Sequence, residues 1–250
     1  MKTKEEPLFQ VHAVKALAHK GLRVALESPS TYVALFVFYL LTGYLFMAPL
    51  FLVGQATIKT LIDFEPIILS FFVPALTMGL LSEELKSGTF ETLATFPLED
   101  WDIVLGKYLG FASLYTLVIA ALLFFAVCLA FLVAPPAHLD WGESIGTLCA
   151  LTFEGLLIGA AGLYTSSFSK NQIVSFITAF LIGFSFVVIG KFAIFLPSGL
   201  SSILDFIGLD SHMQTMGKGV LDTRDILYFA SFIFIFLYLT AQKLSHRRIS

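Results

Sequence analysis

The stretch YLGFASLYTLVIAALLFFAVCLAFLVAPPA, residues 108–137, contains no Lys, Arg, Asp, Glu or His. A helix needs about 20 apolar residues to cross a hydrocarbon layer of ~30 Å, and this stretch is longer than that. Lipid offers no hydrogen-bond partners, so an open chain crosses it only as a helix, whose backbone groups pair within the segment. Residues 108–137 therefore predict a transmembrane helix.

The composition of the whole chain is typical of a polytopic membrane protein. Of its 250 residues, 57% are hydrophobic, 15% are aromatic and only 13% are charged, whereas soluble domains contain about 25% charged residues. A soluble domain with a large core would need a polar shell that this chain cannot supply. Cys128 and Cys149 lie in apolar stretches, and no CxxC motif or His/Cys cluster indicates a disulfide framework or a metal site.

Five further stretches are apolar enough to span a membrane. They are residues 30–53, 62–81, 145–168, 172–190 and the stretch between Asp225 and Lys243. The predicted fold is an all-α polytopic membrane protein with six transmembrane helices. It forms a single domain over residues 1–250, with a tail and an interfacial helix at 1–28, a six-helix membrane region at 30–242 and a second tail at 243–250.

The segment LFQVHAVKALAHKGLRVALES, residues 8–28, has the pattern of an amphipathic helix. Its apolar residues recur every three or four positions, and a basic polar set recurs on another face; the two sets are Val11, Val14, Ala18, Leu22, Ala25 and His12, Lys15, His19, Arg23, Glu27. Such a helix suits the membrane interface. The alternative is an ordinary helix packed on a partner; the short distance to the first span favours the interface.

The distribution of Lys and Arg predicts the topology. If the N-terminus is inside, eleven bases lie inside and four outside. The inside set is Lys2, Lys4, Lys15, Lys20, Arg23, Lys86, Lys107, Lys170, Lys243, Arg247 and Arg248, and the outside set is Lys59, Lys191, Lys218 and Arg224. Both termini and the loop between the second and third spans are therefore expected in the cytoplasm.

That loop, LSEELKSGTFETLATFPLEDWDIVLGK at residues 81–107, is the longest polar interruption of the chain. Ser87-Gly88-Thr89 predicts a break, TFETLAT a short helix that Pro97 ends, and Glu99 the start of the next helix. Asp100 and Asp102 then lie in a first turn. The other acids, Glu83, Glu84 and Glu91, have no such role in this interpretation.

The short helix in the loop presents an apolar side. Phe90, Leu93 and Phe96 need a surface to cover them. Either a partner protein supplies that surface, or the loop folds back on its own helix ends. The residue pattern leaves both interpretations open.

Two separated motifs indicate a family. SEELKSGTFETLATFPLEDWDIVLGKYLG, residues 82–110, resembles the signature of type-2 ABC transporter permeases, in particular the gliding-motility-associated branch. MGKGVLDTRDILYF, residues 216–229, is similar to the segment these permeases carry before their last helix. The resemblance implies a dimer of two permease copies or paralogues on two ATP-binding subunits, in the inner membrane, with a large auxiliary membrane protein as a further candidate partner.

The resemblance also implies roles for particular residues. The loop would be a coupling helix in an ATPase groove, formed by Glu83, Glu84, Lys86, Gly88, Thr89, Phe90, Glu91, Leu93, Ala94 and Pro97. The two adjacent acids could pair with bases of the ATPase or with Lys15, Lys20 and Arg23 of the interfacial helix. No GxxxxGK[ST] motif is present, so ATP and Mg²⁺ would bind the separate ATPase. This chain would then be no enzyme by itself, would hold no cofactor and would bind no nucleic acid.

In this family the second and fifth spans are expected to line the pathway. Phe71, Phe72, Phe176 and Phe180 would then lie near it, which favours export of an amphipathic, lipid-like or polymeric substrate. Packing in the core or against lipid is the alternative for each of them. Residues 191–225 would form two short helices that re-enter the outer leaflet, with Asp222, Arg224 and Asp225 either paired locally or solvated.

Four charged residues near or inside spans need their own interpretation. Glu154 lies well inside the fourth span, where a charge is costly, so it is a candidate functional residue. The alternatives are a protonated or internally hydrogen-bonded structural acid, or a slightly shifted span. Asp63 and Glu65 are expected to mark the outer membrane boundary. Lys107 is expected to extend its amine to the interface without a transport role.

Two other functions compete with that of a permease. A membrane-embedded hydrolase would need a nucleophile and a base facing each other at depth, but all five histidines lie outside the predicted spans: His12, His19, His138, His212 and His246. A force-transmitting complex, in which ATP hydrolysis drives a partner protein rather than a solute, stays open as the alternative.

Overall fold

The computed structural model describes residues 7–53, 57–96, 98–132, 139–192, 197 and 204–249, and every regular element in these ranges is helical. The helices are α1 (Pro7–Glu27), α2 (Pro29–Val53), α3 (Leu61–Thr77), α4 (Ser82–Ser87), α5 (Thr89–Ala94), α6 (Asp100–Ala121), α7 (Leu123–Leu132), α8 (Trp141–Ser166), α9 (Gln172–Phe192), α10 (Leu209–Met216) and α11 (Thr223–Ile249). A helical turn at 204–207 precedes α10.

Six helical segments in the described residues are long and apolar enough to cross a membrane. They are Pro29–Ala48, Leu61–Ser87, Asp100–Phe131, Trp141–Ser166, Gln172–Phe192 and Thr223–Arg247. The predicted all-α fold with six spans is confirmed.

The second, third and sixth spans extend furthest beyond their predicted bounds, and the second continues through α4 to Ser87 rather than ending at Leu81. The third begins at Asp100 rather than Tyr108, because the charged residues before Tyr108 form the first turns of the same helix, and it is interrupted at Leu122 between α6 and α7. The sixth covers Thr223–Arg247, which is nearly all of α11, and is longer than predicted. Residues 133–137 of the predicted third span lie outside the described residues.

Helix α8 forms the centre of the bundle. It contacts α3, α6, α9, α10 and α11. Its glycines make this possible, because Gly155 lies against the ring of Tyr115, and Gly159 and Gly162 likewise lie against side chains of α6 and α3. The hydroxyl of Tyr115 donates a hydrogen bond of 2.7 Å to the carbonyl of Leu151. These small residues thus allow α8 to pack closely against its neighbours.

Helix α1 packs on α6 of the same chain. A Cβ at Gly106 would lie 2.6 Å from the Cβ of Leu17, and one at Gly110 would lie 2.9 Å from the carbonyl oxygen of Ala18. Glycines therefore allow the two backbones to approach closely. Val11, which was predicted on the apolar face, is instead exposed, since the covered face is turned toward α6.

The two ends of the bundle differ. Helices α4 and α5 lie at one end, here called the α4–α5 end, and α10 lies at the other, here called the α10 end. At the α10 end His212 Nδ1 lies 2.6 Å from Asp225 Oδ1, and the ring of His212 stacks on Tyr228 with centroids 4.0 Å apart. Asp222 accepts a hydrogen bond of 2.9 Å from the amide of Arg224. Asp222 and Asp225 are therefore paired locally rather than solvated, which was one of the two interpretations of this segment.

Candidate functional site

The polar loop between the second and third spans folds into two short helices. Helix α3 ends at Thr77, and α4 follows after a turn at 78–81. Gly88 then adopts a φ of 74° between α4 and α5. This left-handed conformation is readily available only to glycine. The predicted break and the predicted short helix are both confirmed, and Ser82–Ala94 is called the α4–α5 element below.

The acids of this element lie at helix starts. Glu83 and Glu84 occupy the first turn of α4, and Glu91 occupies the first turn of α5, positions where negative charge is favourable. The prediction that these three acids lack a helix-terminal role is therefore wrong. The turn at 78–81 and the break at Gly88 each create a helix start. The sequence pattern indicated only the second of these starts and assigned no acid to it.

Lys107 of α6 connects the α4–α5 element to the bundle. Its Nζ lies 2.7 Å from Glu84 Oε1 and donates a hydrogen bond of 2.7 Å to the carbonyl of Leu80. The Lys107 side chain is only 13% exposed and that of Glu84 is 29% exposed. The prediction that Lys107 extends toward the interface is wrong, because its amine has two acceptors inside the protein.

The bases of α1 do not take the predicted role within this chain. Arg23 pairs with Glu27 on α1 itself at 2.7 Å. Lys15 and Lys20 are exposed, and in the described part of the chain no ion pair joins either of them to Glu83 or Glu84. Their positive charge stays on the surface of α1.

The apolar side of α5 is covered by the chain itself. Phe90 and Leu85 are each only 6% exposed and belong to the main core, and Leu93 packs partly against it. Phe96 is different, with 57% of its surface exposed. The loop thus folds back on its own helices at Phe90, as one of the two open interpretations had it. The side chain of Ala94 and the whole of Pro97 lie outside the described residues.

A polar surface remains exposed on the α4–α5 element. Its residues are Glu83, Lys86, Ser87, Gly88, Thr89, Glu91, Thr92 and Thr95, and Phe96 follows them. The Ser87 and Thr89 hydroxyls lie 2.8 Å apart across the break. This surface can contact another protein through hydrogen bonds and charges while its apolar underside stays fixed in the bundle.

The first turn of α6 follows the α4–α5 element and is capped by its own side chains. The amide of Glu99 donates a hydrogen bond of 2.9 Å to Asp102 Oδ2, so the predicted helix start at Glu99 is confirmed. A groove of about 460 Å³ lies beside it; its lining includes Leu98, Glu99, Asp100, Trp101, Tyr238 and Gln242. The groove separates the first turn of α6 from the last part of α11.

The four candidate pathway phenylalanines separate into two groups. Phe71 is 58% exposed and lies edge-on to Phe176 and Phe180, with centroids 5.0 and 6.1 Å away. Phe72 instead is buried and stacks on Phe38 of α2 at 4.4 Å. The structure therefore brings three of them together on the surface that α3 and α9 share, and places Phe72 in the core.

The two membrane glutamates are both buried. Glu154 is 0% exposed and Glu65 is 1% exposed. Asp63 is exposed and accepts a hydrogen bond from Gln214 at 3.4 Å. The expectation that Glu65 marks the membrane boundary is wrong, because its side chain faces α2 and the bundle interior while that of Asp63 faces outward. Sequence periodicity could have separated the two, since they lie two residues apart on opposite sides of α3.

The architecture defines a class of protein: a multi-pass helical membrane subunit with a short helical element at one end. A family model described as ABC-2 family transporter protein matches residues 15–242. The chain belongs to this family and is therefore a membrane permease subunit of an ABC transporter. Such subunits work with an ABC ATPase and are typically not catalytic themselves. A search of curated proteins gave no significant match.

Proposed function

We propose that this chain is the permease half of an ATP-driven exporter and that its α4–α5 element docks on a separate ATPase subunit, which binds ATP and Mg²⁺. The observation that carries the proposal is the exposed polar surface of this element on a base fixed by Lys107. A surface of this kind supplies contacts to a partner, and the rigid base can pass a displacement to the spans.

The contacts of Lys107 indicate how the displacement would travel. Leu80 and Glu84 follow α3, and Lys107 lies on α6, so one ammonium group holds the ends of two spans together. A push on α4 therefore moves α3 and α6 as a unit. Helix α3 in turn contacts α8 and α9, which extends the movement to the centre of the bundle and to the surface with the exposed phenylalanines.

We further propose that the α4–α5 end lies in the cytoplasm, together with both termini, and that the membrane is the inner membrane of the cell. The excess of Lys and Arg at this end supports this orientation. Helix α1 would lie along the cytoplasmic interface. Lys15 and Lys20 are exposed and form no ion pair with acids in the described part of the chain, so they are available to anionic lipid headgroups.

The surface shared by α3 and α9 is the proposed wall of the pathway. Phe71, Phe176 and Phe180 give it an aromatic, apolar character, which suits an amphipathic or lipid-like substrate. In a dimer the same surface of a second copy, or of a paralogue, would face it across the pathway. A single copy leaves this wall open on one side.

ATP turnover tests the docking. The chain is reconstituted in liposomes with its ATPase, and Glu91→Lys is compared with the parent chain. Because Glu91 is exposed in the first turn of α5, reversal of its charge should lower permease-dependent ATP turnover without loss of folded protein. Asp205→Lys, an exposed acid at the α10 end, is the matched control and should leave turnover unchanged. Equal turnover in both variants would contradict the docking proposal.

Lipid movement in the same liposomes tests the exporter. Fluorescent lipids and detergents should cross the membrane only with ATP, and Phe71→Ala should reduce that movement. If none of them moves while Glu91→Lys still lowers turnover, ATP hydrolysis drives a partner protein instead, such as a large auxiliary membrane protein. The force-transmitting alternative would then replace the exporter.

A further inference from the structure

Four buried polar side chains in the membrane bundle have oxygens without a hydrogen-bond partner. They are Thr42 of α2, Glu65 of α3, and Thr147 and Glu154 of α8, and none is more than 1% exposed. The two hydroxyls and both oxygens of each carboxyl group are unpaired. Buried polar groups are normally hydrogen-bonded, so six unpaired oxygens on three neighbouring helices indicate an occupant.

Contacts near both ends set the register of α3 beside α8. Near the α10 end, Ile62 of α3 lies against Gly217 and Gly146 of α8 lies against the adjacent Met216, so positions 62 and 146 are level. Near the other end, Thr77 of α3 lies directly against Gly162 of α8. The residue numbers rise together along both helices, so α3 and α8 run parallel. Position 65 of α3 is therefore level with about position 149 of α8.

This register places the polar groups in a row. Glu143, Thr147 and Glu154 are four and seven residues apart and so lie on one side of α8. Along the helix axis, Glu65 lies between Thr147 and Glu154, about 7–8 Å from the latter at 1.5 Å per residue. The row begins at Glu143, which accepts a hydrogen bond from the Thr57 hydroxyl, and it ends at Glu154 in the middle of α8.

The two carboxyl groups are close enough to interact. Glu65 and Glu154 act on each other electrostatically, and both act on Tyr115. The Thr42 hydroxyl lies beside the Glu65 carboxyl, although their oxygens do not meet hydrogen-bond geometry. Tyr115 is occupied elsewhere, because its hydroxyl donates to the Leu151 carbonyl.

In the described part of the chain, no cationic side chain pairs with these acids, and Lys107 of α6 is held by Glu84. On α2 and α6, the hydroxyls of Tyr39 and Tyr108 donate to backbone carbonyls. Helix α9 carries no charged residue before Lys191. At the α10 end, Asp225 of α11 is paired with His212 of α10, and Tyr228 of α11 donates to a carbonyl. The positive partner must therefore be small and come from solution.

A proton fits this arrangement better than a metal ion. A Ca²⁺ ion, for example, gathers six to eight oxygens around one point at 2.3–2.6 Å, whereas these oxygens are spread along a row over more than one helical turn. A row of carboxyl and hydroxyl groups is suited to passing a proton from one group to the next. An unpaired carboxylate in lipid is costly, and protonation removes that charge.

We propose that Glu65 and Glu154 each bind an exchangeable proton inside the bundle, and that protons reach them from the α10 end along Glu143 and Thr147 with water between the groups. In the transfer step the O–H bond of the protonated Glu65 carboxyl breaks as a bridging water takes that proton, and the same water gives a proton to the Glu154 carboxylate, where a new O–H bond forms. One proton moves, and no oxidant or reductant takes part. The proposal does not depend on docking of the α4–α5 element to an ATPase.

Infrared spectroscopy of the full-length chain in liposomes tests the proposal. The C=O band of protonated carboxyl groups is followed after transfer from H₂O to D₂O. The band should shift as the acids exchange, should weaken in Glu65→Gln and in Glu154→Gln, and should persist in the control Asp63→Asn. Glutamine preserves size and removes only the exchangeable proton, and size-exclusion chromatography checks each variant for folding.

A second variant and a salt titration make the test decisive. Thr147→Val should slow the exchange several-fold without weakening the band, because it interrupts the row above Glu65. A band that stays unshifted for hours while Glu154→Gln removes it would show sealed structural acids and overturn the proposal. A band that disappears on addition of Na⁺ at constant pH would show a metal-cation site and would also overturn it.

Discussion

Lys107 and Glu84 form an ion pair with an Nζ–Oε1 distance of 2.7 Å, and they belong to two different spans of the bundle. The same ammonium group donates to the carbonyl of Leu80. Twenty-two residues separate the two partners, yet the pair closes that segment into a compact unit. The α4–α5 element is thus a rigid projection of the membrane bundle rather than a free loop.

Loss of this pair should loosen the α4–α5 element. Lys107→Met leaves Glu84 without its cation in a half-buried position, and it should destabilise the element by about 1–3 kcal/mol. Hydrogen exchange of the α4 and α5 amides measures the effect. Glu84→Gln in the same chain should recover part of the loss. If the double variant is no more protected than Lys107→Met, the two residues are not coupled.

The turn between α4 and α5 should depend on glycine. Gly88 has a φ of 74°, and a Cβ there would meet no atom within 4 Å, so Gly88→Ala costs only the backbone strain of about 1 kcal/mol. Gly88→Asn should cost less, because asparagine tolerates this conformation. The measurement is thermal unfolding together with exchange of the α5 amides. An alanine variant as stable as the parent would contradict the assigned turn.

Gly155 should not tolerate any side chain. Its Cβ would occupy the position of the Tyr115 ring, so Gly155→Ala should displace that ring and destabilise the bundle by about 1–3 kcal/mol. Tyr115→Leu in the same chain should restore part of the stability. Gly43→Ala is the control, because its Cβ would lie 3.7 Å from Phe125, an ordinary contact. Unfolding in mild detergent compares them, and equal effects at both glycines would contradict the packing of α6 on α8.

Asp225 should stabilise the α10 end through His212. Their hydrogen bond is buried and 2.6 Å long, so Asp225→Ala should lower the unfolding free energy by about 1.5–3 kcal/mol. Asp205→Ala, an exposed control at the same end, should have little effect. Thermal unfolding in detergent measures both. In a chain that also carries His212→Gln, Asp225→Ala should cost less. An equal cost in both backgrounds would show that the pair with His212 is not the source of the stabilisation.

The sequence was sufficient for features set by local physics. A charge-free stretch such as 108–137 predicts a span because lipid accepts only a hydrogen-bonded helix. Gly88 and Glu99 predict a break and a helix start because their conformations or caps depend on neighbouring residues. The small residues around Gly155 predict close packing, although the sequence does not say which side chain fills the space.

The site depended on contacts distant in sequence, which a pattern does not encode. Lys107 was expected at the interface because it lies near the end of a predicted span. No residue close to it in sequence indicates that Glu84 is its partner. Phe90 was left open for the same reason, since its cover comes from the folded bundle. Glu65 was placed at the membrane boundary because Asp63 lies beside it, and only the orientation of α3 separates the two.

Site-specific photo-crosslinking tests the central claim, that the α4–α5 element docks on an ATPase. A photoreactive amino acid replaces Thr92, an exposed residue of α5, in cells that produce the full transporter. The account predicts a crosslink to one ATP-binding subunit that carries a GxxxxGK[ST] motif, with a yield that changes when ATP is added, and no such product from the same substitution at Asp205. An ATPase crosslink from Asp205 but not from Thr92, or no ATPase product from either position, would contradict it.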